Sequence, residues 1–411
     1  MSQRNNGARP ANSIPAALPE AEDDRPTLHL KRSLAALMKR ALLMIAVLVS
    51  ACVLLCVDAA AHPAWSILLD RQGQVYFSDL ETVWKIDAGG RLAVFRPGVS
   101  GRHVHELMMD EEGNLYGPDY TYVQATGRYL NAIWKMTPDG RQTYLLAATD
   151  KPQRGLGVLR DRDGNTYAFE QDNHLKRETL ILKRTPGGEV TVLAGSGYGY
   201  ADGKGREAKF TSIIGAAFGA DGSLYLADSS SVRKVTMDGT VTTLAAGLDL
   251  KDRDPSAAGD ELAWGSLMGL SVNAAGEVFV ADFRNRRVLK VTPGGVVSTV
   301  ARAATPWSPT GVAVAPGGDL YILEYGFIPP GTWKEPRVRR VSPDGKASVL
   351  VTLGETRHGL AMESSGGEDS DATNGPARRA IPYALIGAAM GLFALTIVAW
   401  RAYRRKVRQE H

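Results

Sequence analysis

The sequence predicts an all-β protein: a six-bladed β-propeller with four-stranded blades, an N-terminal signal or anchor segment and a C-terminal transmembrane helix. Three observations lead to this prediction. The middle of the chain repeats one phrase six times, glycine accounts for 44 of 411 residues, and an uncharged apolar run lies near each end. Because glycine adopts the backbone conformations that tight turns need, its abundance favours many short connections between strands.

The N-terminal part of the chain divides into two expected segments. Residues 1–37 are polar and rich in Pro, Ala and Asn, so we expect them to be disordered. They also fit an overextended start, because translation from Met38 would give a compact signal peptide. Residues 38–61 are expected to be that signal peptide, or an N-terminal membrane segment.

The apolar run at 41–57 supports the second of these segments. It contains 17 uncharged residues, and the small residues Ala59 and Ala61 precede His62 as in a signal-peptidase site. Two alternatives stay open. The run remains uncleaved as a membrane anchor, for which 17 residues is the short limit, or Cys52 in "VSAC" is lipidated.

The C-terminal part of the chain is expected to cross a membrane once. Residues 363–381 form a polar linker, and the transmembrane helix predicted at 382–400 contains 18 consecutive uncharged residues. The basic tail at 401–411 then lies in the cytoplasm by the positive-inside rule. The expected location is a bacterial cytoplasmic membrane, with the propeller at 62–362 on the periplasmic or extracellular side.

The repeated phrase runs from a turn glycine to an aromatic residue and then an acidic one, as in "GSLYLAD", followed by a basic strand and a second turn, as in "VLKVTPGG". Four short strands per roughly 40–50 residues, joined by glycine turns, is the pattern of propeller blades, whose sheets cover one another's faces. The aromatic residues lie 40 to 58 positions apart and are Tyr76, Tyr116, Tyr167, Tyr225, Phe279 and Tyr321.

The acidic residue recurs in all six blades, and this regularity indicates a structural role rather than catalysis. We expect each acid to accept hydrogen bonds from the adjacent turn or to pair with the basic residue of the next strand. The acids are Asp79, Asp119, Glu170, Asp228, Asp282 and Glu324, and the basic residues are Lys85, Lys135, Lys183, Lys234, Lys290 and Arg339.

The fullest copy of the repeat, at 194–244, resembles the NHL repeat family. It reads "AGSGYGYADGKGREAKF" and later "DGSLYLAD", and the likeness extends over nearly all of residues 62–354. The resemblance, to bacterial membrane-anchored members in particular, implies a propeller but no particular activity, because propellers host many functions. The glycine-rich start is therefore a joint between blades, and it lacks the spacing of a phosphate-binding loop.

Connection lengths indicate which face of the propeller carries function. The turns after the first and third strands of each blade are short, and we call their side the turn face. The long connections, after the second and fourth strands, lie on the opposite side, the loop face. Aromatic residues on such loops are typical of binding surfaces, although they also pack loops down. The sequence predicts a protein-binding or ligand-binding surface comprising Tyr120, Tyr122, Tyr129, Tyr198, Tyr200, Trp264, Phe327 and Trp333.

A metal site in the central channel is a second prediction. The chain more distantly resembles amidating-lyase propellers, whose histidines at the channel entrance hold zinc, and gluconolactonase-like propellers, which bind a divalent ion at the axis. This resemblance implies a zinc or calcium site at His105 and His358. Glu106, His103 or an acid at the end of a second strand could supply the third ligand, because zinc accepts two His and one Glu. The other entrance positions lack His, so the ligand set is incomplete, and packing at the channel mouth is the competing interpretation.

Two functions follow from these predicted sites. The first is a membrane-anchored binding or scaffolding module that uses the loop face, and the alternative is a metal-dependent hydrolase or lyase at the channel mouth. The folded part has no Cys, G-x-S-x-G or H-E-x-x-H motif, which favours binding. Much of the basic excess behind the net charge of +4 lies at the chain ends, so nucleic acid is not an expected partner.

Overall fold

The computed structural model describes residues 63–151, 154–171, 178–248, 267–328 and 332–354. Six antiparallel sheets follow one another along the chain, and in each the main strands pair in sequence order. The predicted six-bladed propeller with four-stranded blades is therefore confirmed. All described blades belong to one compact unit that ends at Gly354.

The first three blades have short inner strands, and the inner strand of blade two is split. Blade one contains β1 (Ile67–Leu69), β2 (Val75–Ser78), β3 (Val83–Ile86) and β4 (Leu92–Arg96). Blade two contains β5 (Arg102–His103), β6 (Met108–Met109), β7 (Leu115–Val123), β8 (Arg128–Met136) and β9 (Gln142–Thr149). Blade three contains β10 (Leu159–Arg160), β11 (Thr166–Gln171), β12 (Thr179–Arg184) and β13 (Val190–Ala194).

The last three blades have inner strands of six to eight residues. Blade four contains β14 (Gly203–Lys204), which pairs with the outermost strand, then β15 (Ile213–Phe218), β16 (Leu224–Asp228), β17 (Ser231–Val235) and β18 (Thr240–Ala245). Blade five contains β19 (Leu267–Val272), β20 (Val278–Asp282), β21 (Arg287–Val291) and β22 (Val297–Arg302). Blade six contains β23 (Trp307–Val314), β24 (Leu320–Ile328), β25 (Thr332–Val341) and β26 (Ala347–Thr352).

The glycine of each short turn takes a left-handed backbone conformation. Its φ angle lies between 75° and 90° in all twelve turns of the turn face, a region that residues with a Cβ rarely adopt. In blade one, for example, Gly73 N–H donates to the carbonyl of Asp70 at 3.1 Å and closes the turn. The recurring glycine of the sequence is therefore a requirement of the turn itself.

Each pair of neighbouring blades encloses its own hydrophobic cluster. The cluster between blades six and one contains twelve buried residues, among them Phe77 and Leu323. In the described part of the chain, the cluster between blades two and three contains three buried residues, Tyr116, Ile133 and Val158, with Met108, Leu146 and Leu156 partly buried against them. Blade one contains four strands of its own, so no strand from the end of the chain completes it. The cluster that it shares with blade six closes the ring. Packing around the ring is therefore uneven.

The structure corrects the predicted pairing of the repeated acids. Five of them bind arginines: Asp119 to Arg96, Glu170 to Arg154, Asp228 to Arg233, Asp282 to Arg287, and Glu324 to Arg337 and Arg339. Asp79 accepts hydrogen bonds from the backbone N–H groups of Glu81 and Thr82 and from Trp84 Nε1, and Asp228 also accepts from those of Thr211 and Ser212. The structural role is confirmed, and of the named basic residues only Arg339 is the partner.

The reason for the error is the direction of the third strand. Lys234 lies opposite Tyr225 in the sheet, three residues along the strand from the residue opposite Asp228. Three residues of strand span about 10 Å, so the lysine reaches the turn face while the acid remains at the loop face. The residue of blade six that lies opposite Tyr321 is Arg340, not Arg339.

The segments predicted at 1–37, 38–61, 363–381, 382–400 and 401–411 lie outside the described residues. The partial repeat around His358 also lies outside them. Within the described part of the chain, no helix is long and apolar enough to cross a membrane. The membrane helix at 382–400 and the signal or anchor segment at 38–61 stay predictions.

Candidate functional site

Two lengthened hairpins rise from the loop face on either side of blade one. In blade one the chain turns at 79–82, directly after β2, whereas β7 continues for four residues beyond Asp119. Strand β24 likewise continues for four residues beyond Glu324. Four residues of strand span about 13 Å, so blade one is the low point between the hairpins of blades two and six.

Four of the predicted binding aromatics are exposed on this face. Tyr122 and Tyr129 are partners across the blade-two hairpin, with ring centroids 5.0 Å apart, and Tyr198 and Tyr200 lie on the connection into blade four. All four side chains are 51–61% exposed. Tyr200 is partly held in place, because its hydroxyl bonds Thr243 Oγ1 at 2.8 Å and its ring lies beside Arg233.

The other predicted aromatics have different positions. Phe327 and Trp333 are opposite each other in the ladder of the blade-six hairpin, and Trp264 lies outside the described residues. Tyr120 is not on the rim: it is half-buried, and its ring centroid is 6.0 Å from that of His105. Burial raises the pKa of Tyr120, and the charge of Glu106 raises it further.

His105 is packed in an aromatic cluster at the axis. Its ring stacks on Trp65 at 5.1 Å, and the ring of His103 meets it edge-on at 5.8 Å. The N–H of Trp65 donates to the carbonyl of His105 at 3.1 Å, which joins blades one and two. The described geometry therefore fits the packing interpretation of His105.

The predicted metal site is not assembled by the residues that can be placed. His358 lies outside the described residues, and no group of three or more His, Cys, Asp or Glu side chains within the described ranges is arranged to hold an ion. Glu106 follows His105 in the break between β5 and β6. Burial raises the pKa of the Glu106 carboxyl to about 7.

A cavity of about 1450 Å³ occupies the axis between the inner strands. Its inner end is formed by Trp65, Glu106 and Ile214, and its outer end by the exposed first turns of the blades, so it opens at the turn face. This is the face opposite to the one that the sequence analysis selected. A volume of this size exceeds that of common small-molecule sites, about 300–1000 Å³.

Glycines on the inner strands close the cavity towards the loop face. A Cβ on Gly269 would lie 2.0 Å from the carbonyl oxygen of Trp65, and one on Gly311 would lie 2.4 Å from the same atom. A Cβ on Gly215 would lie 2.2 Å from the carbonyl oxygen of Met268. The backbones of blades four, five, six and one are therefore in contact at this level, which no larger residue permits.

Ionisable side chains line the cavity on one side only. Blades one to three provide cations, including Lys85, Lys135 and Arg160, together with acids such as Asp110 and apolar side chains such as Met108. Blades four to six provide small and apolar residues: Ile214, Gly215, Ala216, Ala217, Phe218, Gly219, Ala220, Gly222, Gly269, Leu270, Ser271, Val272, Val312, Ala313 and Val314. An amphipathic wall of this kind fits a ligand with one polar end.

The sequence analysis did not find this cavity, although a signal was present. The first turns of blades one to three read "DRQG", "DEEG" and "DRDG", whereas those of blades four to six read "GADG", "NAAG" and "APGG". The concentration of charge in three consecutive turns marks the polar side of the mouth. Only the closed ring shows that these turns face one opening.

No protein-family model matches the chain, so the resemblance to NHL repeats stays a prediction. Over 290 residues the chain is 26% identical to Teneurin-4 of Mus musculus, covering 60% of this chain and 10% of that protein. The chain thus spans about a tenth of that relative's length.

Two solved structures resemble the propeller. Virginiamycin B lyase from Staphylococcus aureus is 13% identical with a TM-score of 0.39, covering 70% of this chain and 83% of that one. A gluconolactonase from Xanthomonas campestris is 16% identical with a TM-score of 0.40, covering 63% and 81%. At identities this low, the likeness concerns the fold alone and says nothing about activity.

Proposed function

We propose that the protein is a membrane-anchored binding module that holds a polypeptide segment of a partner protein across blade one on its loop face. The observation that supports this most is the pair of raised hairpins with Tyr122 and Tyr129 exposed on one of them. Tyrosine supplies a large contact area with little conformational entropy to lose, which suits a binding surface.

The anchoring part of the proposal rests on the apolar run at 382–400 and its basic tail. With this orientation of the membrane helix, the propeller lies outside the cytoplasm, and its loop face binds a partner at or near the membrane surface. Since the raised hairpins flank a low blade, an extended segment fits the space better than a globular face does.

Site-specific photocrosslinking in the native membrane tests this function. A photoreactive amino acid replaces Tyr122 or Tyr129 in the full-length chain, and Val296, which is exposed on a turn of the turn face, is the matched control position. We expect the same discrete adduct from positions 122 and 129 and none from 296. Equal labelling from all three positions, or none from the hairpin, would contradict the proposal.

A further inference from the structure

Arg160 lines the axial cavity and has no counter-ion among the described residues. Its guanidinium lies 4.9 Å from the ring centroid of Tyr116, and its half-buried side chain lines the cavity. Its Nε is buried with no hydrogen-bond partner, and in the described part of the chain it forms no ion pair. A buried donor left unsatisfied costs about 1–3 kcal/mol, which a bound acceptor would offset.

Several acids of the cavity lining are already engaged elsewhere. Asp110 accepts from Asn114 N, Asn114 Nδ2 and Tyr116 Oη, and Asp161 accepts from three donors of its own turn and from Tyr167 Oη. At the rim, Glu111 pairs with Arg162 at 2.6 Å. Glu106 lies at a level three residues deeper in the inner strand, about 10 Å away.

The cations on the third strands of blades four to six, opposite the repeated aromatic residue, are paired. Lys234 bonds Asp221 at 2.8 Å, Lys290 bonds Glu277 at 3.0 Å and Arg340 bonds Asp319 at 2.8 Å. Lys85 and Lys135 occupy the equivalent positions of blades one and two, opposite Tyr76 and Tyr116. Among the described residues neither lysine forms an ion pair. Their ammonium groups lie 5.9 Å and 5.6 Å from the centroids of the Phe95 and Tyr116 rings, and both line the cavity.

We propose that the axial cavity binds a small organic anion, with a carboxylate or phosphate head on an apolar body. The head lies on the guanidinium of Arg160, because a planar fork of donors matches an oxyanion, and Lys135, which lies near the same Tyr116 ring, supplies a second positive charge. The body lies against the opposite wall, where Leu270, Val312 and Val314 are apolar. This site opens at the turn face and is independent of partner binding on the loop face.

Isothermal titration of the full-length chain in lipid nanodiscs tests the proposal with four matched probes, and empty nanodiscs give the background. The probes are 3-phenylpropionate, 3-phenylpropyl phosphate, 3-phenylpropylamine and 3-phenylpropanol. We expect the anions to bind at least tenfold more tightly than the amine and the alcohol. The stronger of the two anions identifies the source as a carboxylate or a phosphate ester.

Variants locate the site. Arg160→Met should weaken anion binding at least tenfold, whereas Arg162→Met on the exposed rim should change it less than twofold. If Arg160→Met does not fold by circular dichroism, Arg160→Lys and Lys135→Met serve instead, with a smaller loss expected from each. Preferential binding of the amine, or unchanged anion binding in the Arg160 variants, would overturn the proposal.

Discussion

Blades four to six and blades one to three are built from the same repeated phrase and differ at the axis. In blades four to six the inner strands carry Gly215, Gly269 and Gly311, and their backbones touch. In blade two Glu106 stands at the glycine position, and the inner strand is split around it. Cations at the turn face are ion-paired in the first group, whereas Lys85 and Lys135 contact rings.

This difference shows how a repeat fold separates stability from binding. The ring needs contact between neighbouring backbones somewhere, and blades four, five, six and one supply it at the inner-strand glycines, while the largest cluster lies between blades six and one. The interface between blades two and three has the smallest cluster of the described residues, and the rest of the ring fixes its position. Binding sites are expected where stabilising contacts are fewest.

The largest expected effect on the free energy of unfolding comes from truncating a matched isoleucine in each of two clusters of the ring. Ile67 and Ile133 are equally buried, but Ile67 lies in the cluster of twelve residues and Ile133 in the cluster of three. We expect Ile67→Ala to lower the free energy of unfolding by about 4 kcal/mol and Ile133→Ala by about 2 kcal/mol. Urea unfolding measures both, and equal losses would contradict the uneven packing.

The next effect concerns the glycine contacts. In Gly269→Ala the new methyl group would meet the carbonyl oxygen of Trp65, so the inner strands must move apart. We expect a loss of about 3 kcal/mol in unfolding free energy. Gly317→Ala is the control, because nothing lies within 4 Å of that site, and it should change stability by less than about 0.5 kcal/mol. Similar melting temperatures for the two variants would rule out close contact.

The smallest effect depends on pH and concerns Glu106. Burial raises the pKa of its carboxyl to about 7, above its value of about 4.3 in an unfolded chain, so the fold favours the protonated form. The protonated carboxyl therefore contributes fully to the stability of the fold below pH ~4.3, and this contribution is lost as the pH rises through 7 and the buried carboxyl ionises. Glu106→Gln should therefore be more stable than the wild type by about 2 kcal/mol at pH 8 and little changed at pH 4.

Chemical unfolding at the two pH values checks this last prediction. Glu112→Gln is the control, because Glu112 is exposed in the turn that follows the inner strand of blade two. This variant should leave the pH dependence of unfolding unchanged. A Glu106→Gln variant that parallels the wild type at both pH values would show that the carboxyl is well solvated, which would contradict its burial near the axis.

The sequence by itself determined the architecture. The six copies of the phrase predicted six blades, the turn glycines predicted the short turns, and the unequal connections predicted which face carries the raised hairpins. These features are local, because turn geometry and strand alternation depend on residues a few positions apart. Periodicity then repeats the local result around the ring, so the blade count follows from the sequence alone.

Only the tertiary structure decided which residues meet at the axis. The sequence paired the repeated acids with lysines of the next strand, but the strand's direction carries those lysines to the other face. His105 was a candidate ligand in the sequence and is stacked on Trp65 of another blade. The cavity combines residues of all six blades, and Arg160 meets the ring of Tyr116 from a neighbouring blade. Such contacts depend on the closure of the ring, which brings together side chains that local spacing does not relate.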